Sequence, residues 1–315
     1  MTESVRIAWN EGTIGEWSAA FARLPRATLP QSFGYAQAMA KTHRYLPRLG
    51  LIEHAGRPVG LVQVLERRSL KLFAQRQLHR GPLWFDGEPG PEVLEPVLRA
   101  LRKACPDNVL NRFSFLPELT ASPDTAALLE RCGFRRTGPG YRTVWLDLTK
   151  SEEELRAGFA RDWRQRLKGA EKAGLVLDVD PEAKNLPWLV KQEHEQALIK
   201  QYREMSGALT VRLRNALHKA DGVLMVAALG AGQPVASALL LGHGRQATYQ
   251  IGWSNDAGRK AGAMRLVLWR AIGALRERGF TALDLGGINP DTAPGVTEFK
   301  LNTGGAVYES VGLYR

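Results

Sequence analysis

The sequence predicts an α/β protein with mixed α+β sheets that contains two copies of one structural unit, and three observations support this. The sequence motif Ala-Gly-x-Pro-Val occurs twice, each time followed by an apolar run, at residues 55–65 and 231–241. A helical segment ends at a Gly-Phe pair before a strand twice, at residues 129–134 and 275–280. Helical and strand periodicities also alternate along the chain. Such repetition is typical of duplicated units; the alternative is two unrelated hairpins that share a common turn.

The amino-acid composition limits the classes of protein to which the chain can belong. A chain of 315 residues with 44% hydrophobic residues can form one large or two ordinary packed domains. No apolar run approaches the ~20 residues of a membrane span, and the first residues show no apolar leader segment. Only Cys105 and Cys132 are present, away from any His/Cys cluster. We therefore expect a cytoplasmic protein with no integral membrane segment, no disulfide scaffold and no metal site.

The net charge narrows the choice of partners. At +11 the chain is strongly basic. This charge favours RNA, nucleotide diphosphates or peripheral contact with an anionic lipid surface. The alternative is that surface arginines serve solubility.

In the first half, helical spacing predicts a helix from Pro30 to Tyr45. Two apolar runs around Gly56-Arg57 then predict a hairpin of strands over residues 48–65. Further helices are predicted over Pro91–Cys105 and Thr125–Arg131, followed by a strand that begins at Thr143.

A helix from Ser151 to Gly174 is predicted to link the two halves. Ser151 and Glu154 form a capping box at its start, and Gly174 ends it. One face is apolar, and we expect it to be buried: Leu155, Phe159, Trp163, Leu167 and Ala170. Another face carries a cationic ridge, which is suited to phosphate groups unless it is simply solvated: Arg161, Arg164, Lys168 and Lys172.

The second half predicts a helix over residues 186–207 and strands over 223–229, 234–242 and 246–253. A helix over 263–278 and a strand over 281–285 follow. That strand ends in Gly286-Gly287, whose backbone can approach a ligand closely. A Pro/Gly loop then presents Phe299-Lys300 before a second glycine pair. A lysine held between two such bends can meet a developing negative charge; the alternative is a bulged hairpin with a solvated lysine.

The stretch Asp284-Leu-Gly-Gly-Ile, a loop, Phe299-Lys300 and Gly304-Gly305 resembles the closing motif of the Fem family of peptidoglycan-bridge aminoacyltransferases. This family is a branch of the GNAT acyltransferase superfamily. Further similar segments are spread along much of the chain, at residues 31–41, 77–86 and 163–174. The resemblance implies tandem GNAT-like lobes, with residues 1–150 as the first and the linking helix plus the second lobe over 151–315. No heptad stretch is long enough for the coiled-coil arm that some members carry.

The resemblance also implies roles for individual residues. Lys300 is expected to be catalytic, with Phe299 beside the acyl group and Gly286 and Gly287 close to the substrate. The implied acceptor contacts are Lys41 and Asp86, and a carboxylate at Asp86 could deprotonate or orient an amine. The family pattern places the acid one residue earlier, so Asp86 could equally be a turn residue.

Two more substrate contacts are implied on the second lobe. Tyr249 lies on a strand where the family places a tyrosine against the substrate, although buried strand tyrosines are common. The family's substrate-binding arginine is displaced here, and Arg212 or Arg214 could replace it.

The implied function is transfer of an aminoacyl group from aminoacyl-tRNA to an amine of a cell-wall precursor or a similar small or lipid-linked acceptor. No tightly bound cofactor is expected. The first alternative keeps the fold but uses acyl-coenzyme A to acylate a small amine or sugar. The segment Arg259-Lys-Ala-Gly-Ala-Met264 resembles the superfamily's pyrophosphate-binding loop pattern Gln/Arg-x-x-Gly-x-Gly/Ala, with Met264 at the last small position. Arg259 and Gly262 would then bind the pyrophosphate. The second is a non-catalytic RNA- or lipid-binding protein.

Overall fold

The computed structural model describes residues 5–69, 73–202, 204–218 and 221–315. Residues 1–4, part of the segment considered above for a leader, lie outside this set. The chain divides into two compact units. Unit 1 comprises Met1–Arg142 together with Tyr308–Arg315, and unit 2 comprises Thr143–Val307. The division thus precedes the predicted boundary after residue 150, and the C-terminal residues belong to unit 1.

The elements that begin in the first 141 residues alternate between strands and helices. They are β1 (Val5–Trp9), α1 (Ile14–Ala22), α2 (Phe33–His43), β2 (Leu46–His54), β3 (Arg57–Ser69), β4 (Phe73–His79), β5 (Leu83–Trp84), α3 (Pro91–Ala104), β6 (Asn111–Leu116), α4 (Pro123–Arg131) and β7 (Arg136–Gly138). A short 3₁₀ helix, Leu29–Gln31, precedes α2, so the helix predicted from Pro30 is divided at Ser32.

The remaining elements belong mainly to unit 2. They are β8 (Arg142–Asp147), α5 (Glu152–Gly158), α6 (Arg161–Glu171), β9 (Val176–Asp180), α7 (Leu186–Lys200), α8 (Gly207–Leu217), β10 (Val223–Gly230), β11 (Gln233–His243), β12 (Gln246–Ser254), α9 (Asp256–Ala261), α10 (Ala263–Glu277), β13 (Ala282–Gly287), α11 (Pro294–Leu301), β14 (Ala306–Glu309) and β15 (Leu313–Tyr314). The longest described helices, α7 and α10, have 15 residues each.

The predicted duplication is confirmed by sheet topology. One sheet has the order β1-β2-β3-β4-β6-β15-β7, with β5 paired to β3, and the other has the order β14-β8-β13-β12-β11-β10-β9. In unit 1 the antiparallel strands β2, β3 and β4 precede α3, and β6 then pairs parallel to β4. In unit 2 the antiparallel strands β10, β11 and β12 precede α10, and β13 then pairs parallel to β12.

The two Ala-Gly pairs of the repeated motif form equivalent hairpin turns. Ala55-Gly56 and Ala231-Gly232 all have positive φ, as a two-residue turn between twisted strands requires. The first turn therefore lies one residue before the predicted Gly56-Arg57. The Gly-Phe repeat, by contrast, relates helices in different positions, because α4 follows the parallel strand of its unit whereas α10 precedes it.

Three helical predictions need correction. The linking helix is two helices, since Phe159 takes an extended conformation (φ −64°, ψ 142°) that buries its ring against Trp163. The helix predicted to reach Gly207 ends at Lys200, and the separate helix α8 follows. The segment that carries Phe299-Lys300 is helix α11 rather than a loop, with Pro294 in its first turn. The capping box at Ser151 and the buried stripe of the linking segment are confirmed.

Among the described residues, no helix combines the length and apolar character needed to cross a membrane. Both cysteines are buried free thiols.

Substitution of Gly304 tests the packing that holds α11. Gly304 has φ +70°, and a Cβ there would lie 2.1 Å from the carbonyl oxygen of Gly158. We expect Gly304→Ala to lower the free energy of unfolding by about 3 kcal/mol, since left-handed strain adds to a backbone clash. The control is Gly279→Ala, which has φ +78° in open space and should cost only about 1–2 kcal/mol. If urea unfolding shows that both variants lose the same free energy of unfolding, the clash at residue 304 is relieved without an energetic cost.

Candidate functional site

The site is built where two parallel strands of unit 2 separate. β12 and β13 pair only from Gln246 to Thr248 and from Ala282 to Asp284. Beyond this point Gln250 forms a bulge in β12 against β11, and Gly286 takes a left-handed conformation with φ +75°. The parallel pair of unit 1, β4 with β6, instead stays in register over residues 74–79 and 111–116. At this opening Gly287 is exposed, whereas Gly286 is buried.

Lys300 brings a buried ammonium group to this opening. It lies in the last turn of α11 and is only 6% exposed. Its Nζ donates to the carbonyl oxygen of Gly287 at 2.9 Å and lies 5.8 Å from the centre of the Tyr249 ring. Burial lowers the pKa of Lys300 to about 8, while the carboxylate of Asp284 acts in the opposite direction. A substrate group that replaced the Gly287 carbonyl would meet a poorly hydrated cation.

Asp284 and Gly286 fix the backbone beneath this ammonium group. Asp284 is 2% exposed and accepts from the Thr143 hydroxyl at 2.5 Å and from the Gly286 N–H at 2.9 Å. A Cβ on Gly286 would stand 3.5 Å from the Lys300 Nζ and 3.0 Å from the Tyr249 carbonyl oxygen. Glycine at 286 therefore satisfies both the positive φ and the close approach.

Tyr249 connects the opening with a neighbouring cavity. Its hydroxyl donates to Sδ of Met264 at 3.4 Å, and burial raises the pKa of this hydroxyl. Met264 in turn lines a cavity of about 350 Å³. Phe299 lines the same cavity next to Lys300 in the sequence, and the carbonyl of Phe299 accepts from the Trp163 indole N–H.

The cavity wall is rich in guanidinium groups. Arg166 from α6, Arg259 from α9 and Arg265 from α10 all line it, beside Asp162 and Glu298. The Arg265 guanidinium lies 5.8 Å from the Trp163 ring and 5.6 Å from the Phe299 ring. Within the described part of the chain its buried Nε has no hydrogen-bond partner. Burial, and then the nearby Arg166, lowers the pKa of Arg265.

The first turn of α10 completes the cavity. Gly262 has φ +68° and joins α9 to α10, and both Gly258 and Gly262 line the cavity. The N-terminus of α10 adds partial positive charge to the three arginines. This arrangement can hold phosphate groups.

The structure brings together one group of the predicted site residues: Lys300, Phe299, Tyr249, Gly286 and Gly287. It places Lys41 in the last turn of α2 and Asp86 in the turn after β5, both exposed and both in unit 1. Arg212 is exposed on α8, while Arg214 donates to the Glu182 carbonyl. The roles of Lys41, Asp86 and Arg212 stay predictions.

Only part of the cationic ridge is available to bind a ligand. Arg161 and Lys168 on α6, and Lys172 directly after it, are exposed. Arg164 instead donates to the carbonyls of Ala157 and Phe159, so it stabilises the junction between α5 and α6.

Sequence reasoning missed Arg166 and Arg265. Arg166 lies off the predicted ridge, and Arg265 directly follows the segment considered for pyrophosphate binding. No local pattern marks either residue, because their convergence depends on how α6 packs against α10.

Comparisons with known proteins agree with this architecture. Residues 157–301 match a family model described as an acetyltransferase (GNAT) domain. None of the curated proteins compared with the chain matches it in sequence.

Solved structures match over nearly the full length. FemX is 16% identical with a TM-score of 0.78, and the match covers 98% of this chain and 96% of that one. A conserved protein of unknown function from Bacteroides thetaiotaomicron VPI-5482 is 15% identical with a TM-score of 0.62, covering 98% of both chains. A tandem GNAT protein from the clavulanic acid biosynthesis pathway is 14% identical with a TM-score of 0.53, covering 99% and 98%.

These matches confirm the predicted tandem GNAT fold and its resemblance to Fem proteins. The domain match over residues 157–301 supports the predicted acyltransferase activity.

Proposed function

We propose that this acyltransferase moves an aminoacyl group from aminoacyl-tRNA to the amine of a cell-wall precursor or a similar small or lipid-linked molecule. One observation carries the proposal: the buried Lys300 ammonium contacts the Gly287 carbonyl where β12 and β13 separate, and the neighbouring Phe299 lines a cavity together with three arginines. An ammonium group in a poorly hydrated site stabilises negative charge more strongly than it would in water.

The chemistry needs alignment and charge stabilisation. The amine nitrogen attacks the carbonyl carbon of the aminoacyl ester, and the carbonyl oxygen becomes an oxyanion. Lys300 stabilises that oxyanion. When the bond from carbon to the ribose oxygen breaks, the lowered pKa of Lys300, about 8, suits it to give a proton to the leaving oxygen.

The position of α6 favours an extended polyanion as the donor. This helix supplies Arg166 to the cavity and also carries the exposed side chains of Arg161 and Lys168, with the exposed Lys172 directly after it. These exposed cations add positive charge that favours a polyanionic donor. A tRNA is such a polyanion.

Acyl-coenzyme A is the second candidate donor, and the turn between α9 and α10 is the observation that favours it. Arg259 and Gly262 line the cavity at the start of α10, where a pyrophosphate could bind. Met264, however, occupies the last small position of that loop pattern, and its sulfur accepts from Tyr249.

A two-donor assay tests the proposal. The protein is incubated with a UDP-linked muramoyl pentapeptide as amine acceptor and with either a charged tRNA pool or acetyl-coenzyme A. We expect an aminoacylated peptide from the tRNA arm. Product from acetyl-coenzyme A alone would favour the second candidate. Binding of tRNA with no product from either donor would favour a non-catalytic RNA-binding role.

The role of α6 can be tested through salt dependence. The double variant Lys168→Gln and Lys172→Gln should raise KM for charged tRNA about tenfold. It should also reduce the slope of log KM against log salt concentration by about 1.4, since each contact with a phosphate of a single strand contributes about 0.7 to that slope. The matched control is Lys184→Gln with Lys191→Gln, which removes the same charge from exposed positions outside α6. Equal effects of both pairs would assign the change to net charge alone.

A further inference from the structure

Unit 1 exposes large apolar side chains at one end of its sheet. Val109 is 82% exposed, Leu110 46% and Phe73 43%. Phe73 is the first residue of β4, and Val109 and Leu110 directly precede β6. The N–H of Ala74 donates to the Leu110 carbonyl at 3.0 Å. The three side chains therefore lie at the sheet end where β4 and β6 begin side by side, and we call them the apolar tip.

Two arginines flank the apolar tip. Gln75 of β4 pairs with Arg67 of β3 on one side and with Arg112 of β6 on the other. Paired residues of neighbouring strands share a face of the sheet, as do residues two apart on one strand. Arg67, Arg112 and Phe73 therefore share one face. Arg112 is exposed, and Arg67 is half-buried with its guanidinium 5.0 Å from the centre of the Tyr45 ring.

The carboxylates at this end of the sheet are already paired with arginines. Within the described parts of β3, β4, β6 and residues 105–110, the acidic residues are Glu66 and Asp107. Glu66 accepts from two arginines at 2.6 Å, and Asp107 lies 3.3 Å from a third. Arg67 and Arg112, in contrast, form no ion pair with any described residue. The surface around the apolar tip is therefore cationic.

We propose that the apolar tip and its two flanking arginines dock this protein on an anionic lipid bilayer. Apolar side chains at such a tip can enter the boundary between headgroups and acyl chains, while the arginines bind lipid phosphates. The net charge of +11 adds long-range attraction. RNA would use the arginines but not Val109 and Leu110, which have no aromatic face on which bases could stack. The docking does not depend on acyl transfer, so its tests need no turnover.

Another exposed apolar pair lacks this charge pattern. Leu198 and Ile199 on α7 are 67% and 82% exposed. Glu193, Glu195 and Glu204 lie close to them in the chain. Anionic headgroups would be repelled by these carboxylates. The α7 pair therefore serves as a matched control for the apolar tip.

Vesicle flotation tests the apolar part of the contact. The wild type should bind vesicles that contain phosphatidylglycerol, and it should bind pure phosphatidylcholine vesicles about tenfold less tightly. Val109→Ser with Leu110→Ser should weaken binding to the phosphatidylglycerol vesicles about tenfold, because less apolar area enters the bilayer. Leu198→Ser with Ile199→Ser should bind as the wild type does. All four side chains are exposed, so both variants are expected to fold, and Tm checks this.

The arginines are tested by Arg67→Gln with Arg112→Gln. Each cation near an anionic surface strengthens binding about fivefold, so the double variant should bind about 25-fold less tightly at low salt. This difference should shrink at high salt, because ions screen the charges. Lys184→Gln with Lys191→Gln removes the same charge from exposed positions in unit 2 and should bind nearly as the wild type does.

An environment-sensitive dye identifies the surface that enters the lipid. Both native cysteines are buried free thiols, so a thiol-reactive dye can be attached selectively in the variant Val109→Cys. Phosphatidylglycerol vesicles should shift the dye emission to shorter wavelength. The same dye in Ile199→Cys, an equally exposed position, should show no shift.

Loss of vesicle binding in the two variants of the tip surface, with both controls unaffected, supports the proposal. A wild type with no preference for phosphatidylglycerol vesicles would overturn it, as would a larger loss from the α7 pair than from Val109 and Leu110. If Arg67→Gln with Arg112→Gln loses tRNA binding while Val109→Ser with Leu110→Ser keeps full vesicle binding, this surface binds RNA and the membrane assignment is wrong. Either failure leaves the proposed acyl transfer standing.

Discussion

Replacement of Lys300 by methionine lowers kcat for acyl transfer by about 10²–10³-fold, the loss that follows removal of one oxyanion-stabilising group. The Lys300 Nζ contacts the Gly287 carbonyl at 2.9 Å and lies beside the Tyr249 ring. Because this site is buried, water molecules cannot compensate for the loss of the positive charge. Methionine keeps the length of the side chain, so the change removes charge with little loss of packing. Single-turnover rates with charged tRNA measure the effect.

The stability of Lys300→Met separates lost chemistry from lost folding. Because the pKa of Lys300 is depressed to about 8 in the folded state, the folded protein releases a proton more readily than the unfolded chain. The charged lysine therefore destabilises the fold below pH 8, and this penalty fades as pH rises toward the unfolded pKa of about 10.4. We expect the Tm of the variant at pH 7 to equal or exceed that of the wild type. An unchanged kcat in the folded variant would remove Lys300 from the mechanism.

Replacement of Arg265 by glutamine is expected to raise KM for the acyl donor about 10–100-fold. The Arg265 guanidinium lines the cavity between Trp163 and Phe299, and its Nε lacks a described partner. Asp162 and Glu298 already act on this guanidinium, and a bound phosphate would add charge-assisted hydrogen bonds, which are strong. Initial rates at varied charged tRNA, and separately at varied acetyl-coenzyme A, measure the change.

Arg270→Gln is the matched control for Arg265. Arg270 lies on the same helix, pairs with Glu277 at 3.1 Å and does not line the cavity. Its replacement should leave KM unchanged. If both variants behave alike, the cavity is not where the donor binds.

Those parts of the fold that depend on local chemistry could be predicted from the sequence. The repeated Ala-Gly-x-Pro-Val sequence, followed each time by an apolar run, predicted both hairpins, although the first turn lies one residue before the predicted Gly56-Arg57. The capping box at Ser151 predicted the start of α5, and the apolar spacing predicted α3 and α10 closely. The grouping of Lys300, Tyr249 and Gly286 came from the motif resemblance rather than from periodicity.

The remaining features depend on tertiary contacts. The break between α5 and α6 exists because the Phe159 ring packs on Trp163 and the Ala160 N–H donates to the Asn302 carbonyl, far along the chain. Helix α11 was not predicted, because the Pro and Gly residues near Phe299 indicated a loop. The convergence of three arginines likewise depends on helix packing, which sequence spacing does not encode.

The central claim is that the Lys300 ammonium meets the carbonyl of the acyl donor, and a structure with a stable donor mimic tests it most directly. The mimic is an RNA 3′ end in which an amide replaces the aminoacyl ester. The account predicts that the amide carbonyl oxygen lies about 3 Å from the Lys300 Nζ, within hydrogen-bond distance, with phosphates among Arg166, Arg259 and Arg265. A bound mimic whose carbonyl lies well beyond hydrogen-bond reach, while Lys300 stays on the Gly287 carbonyl, would contradict it.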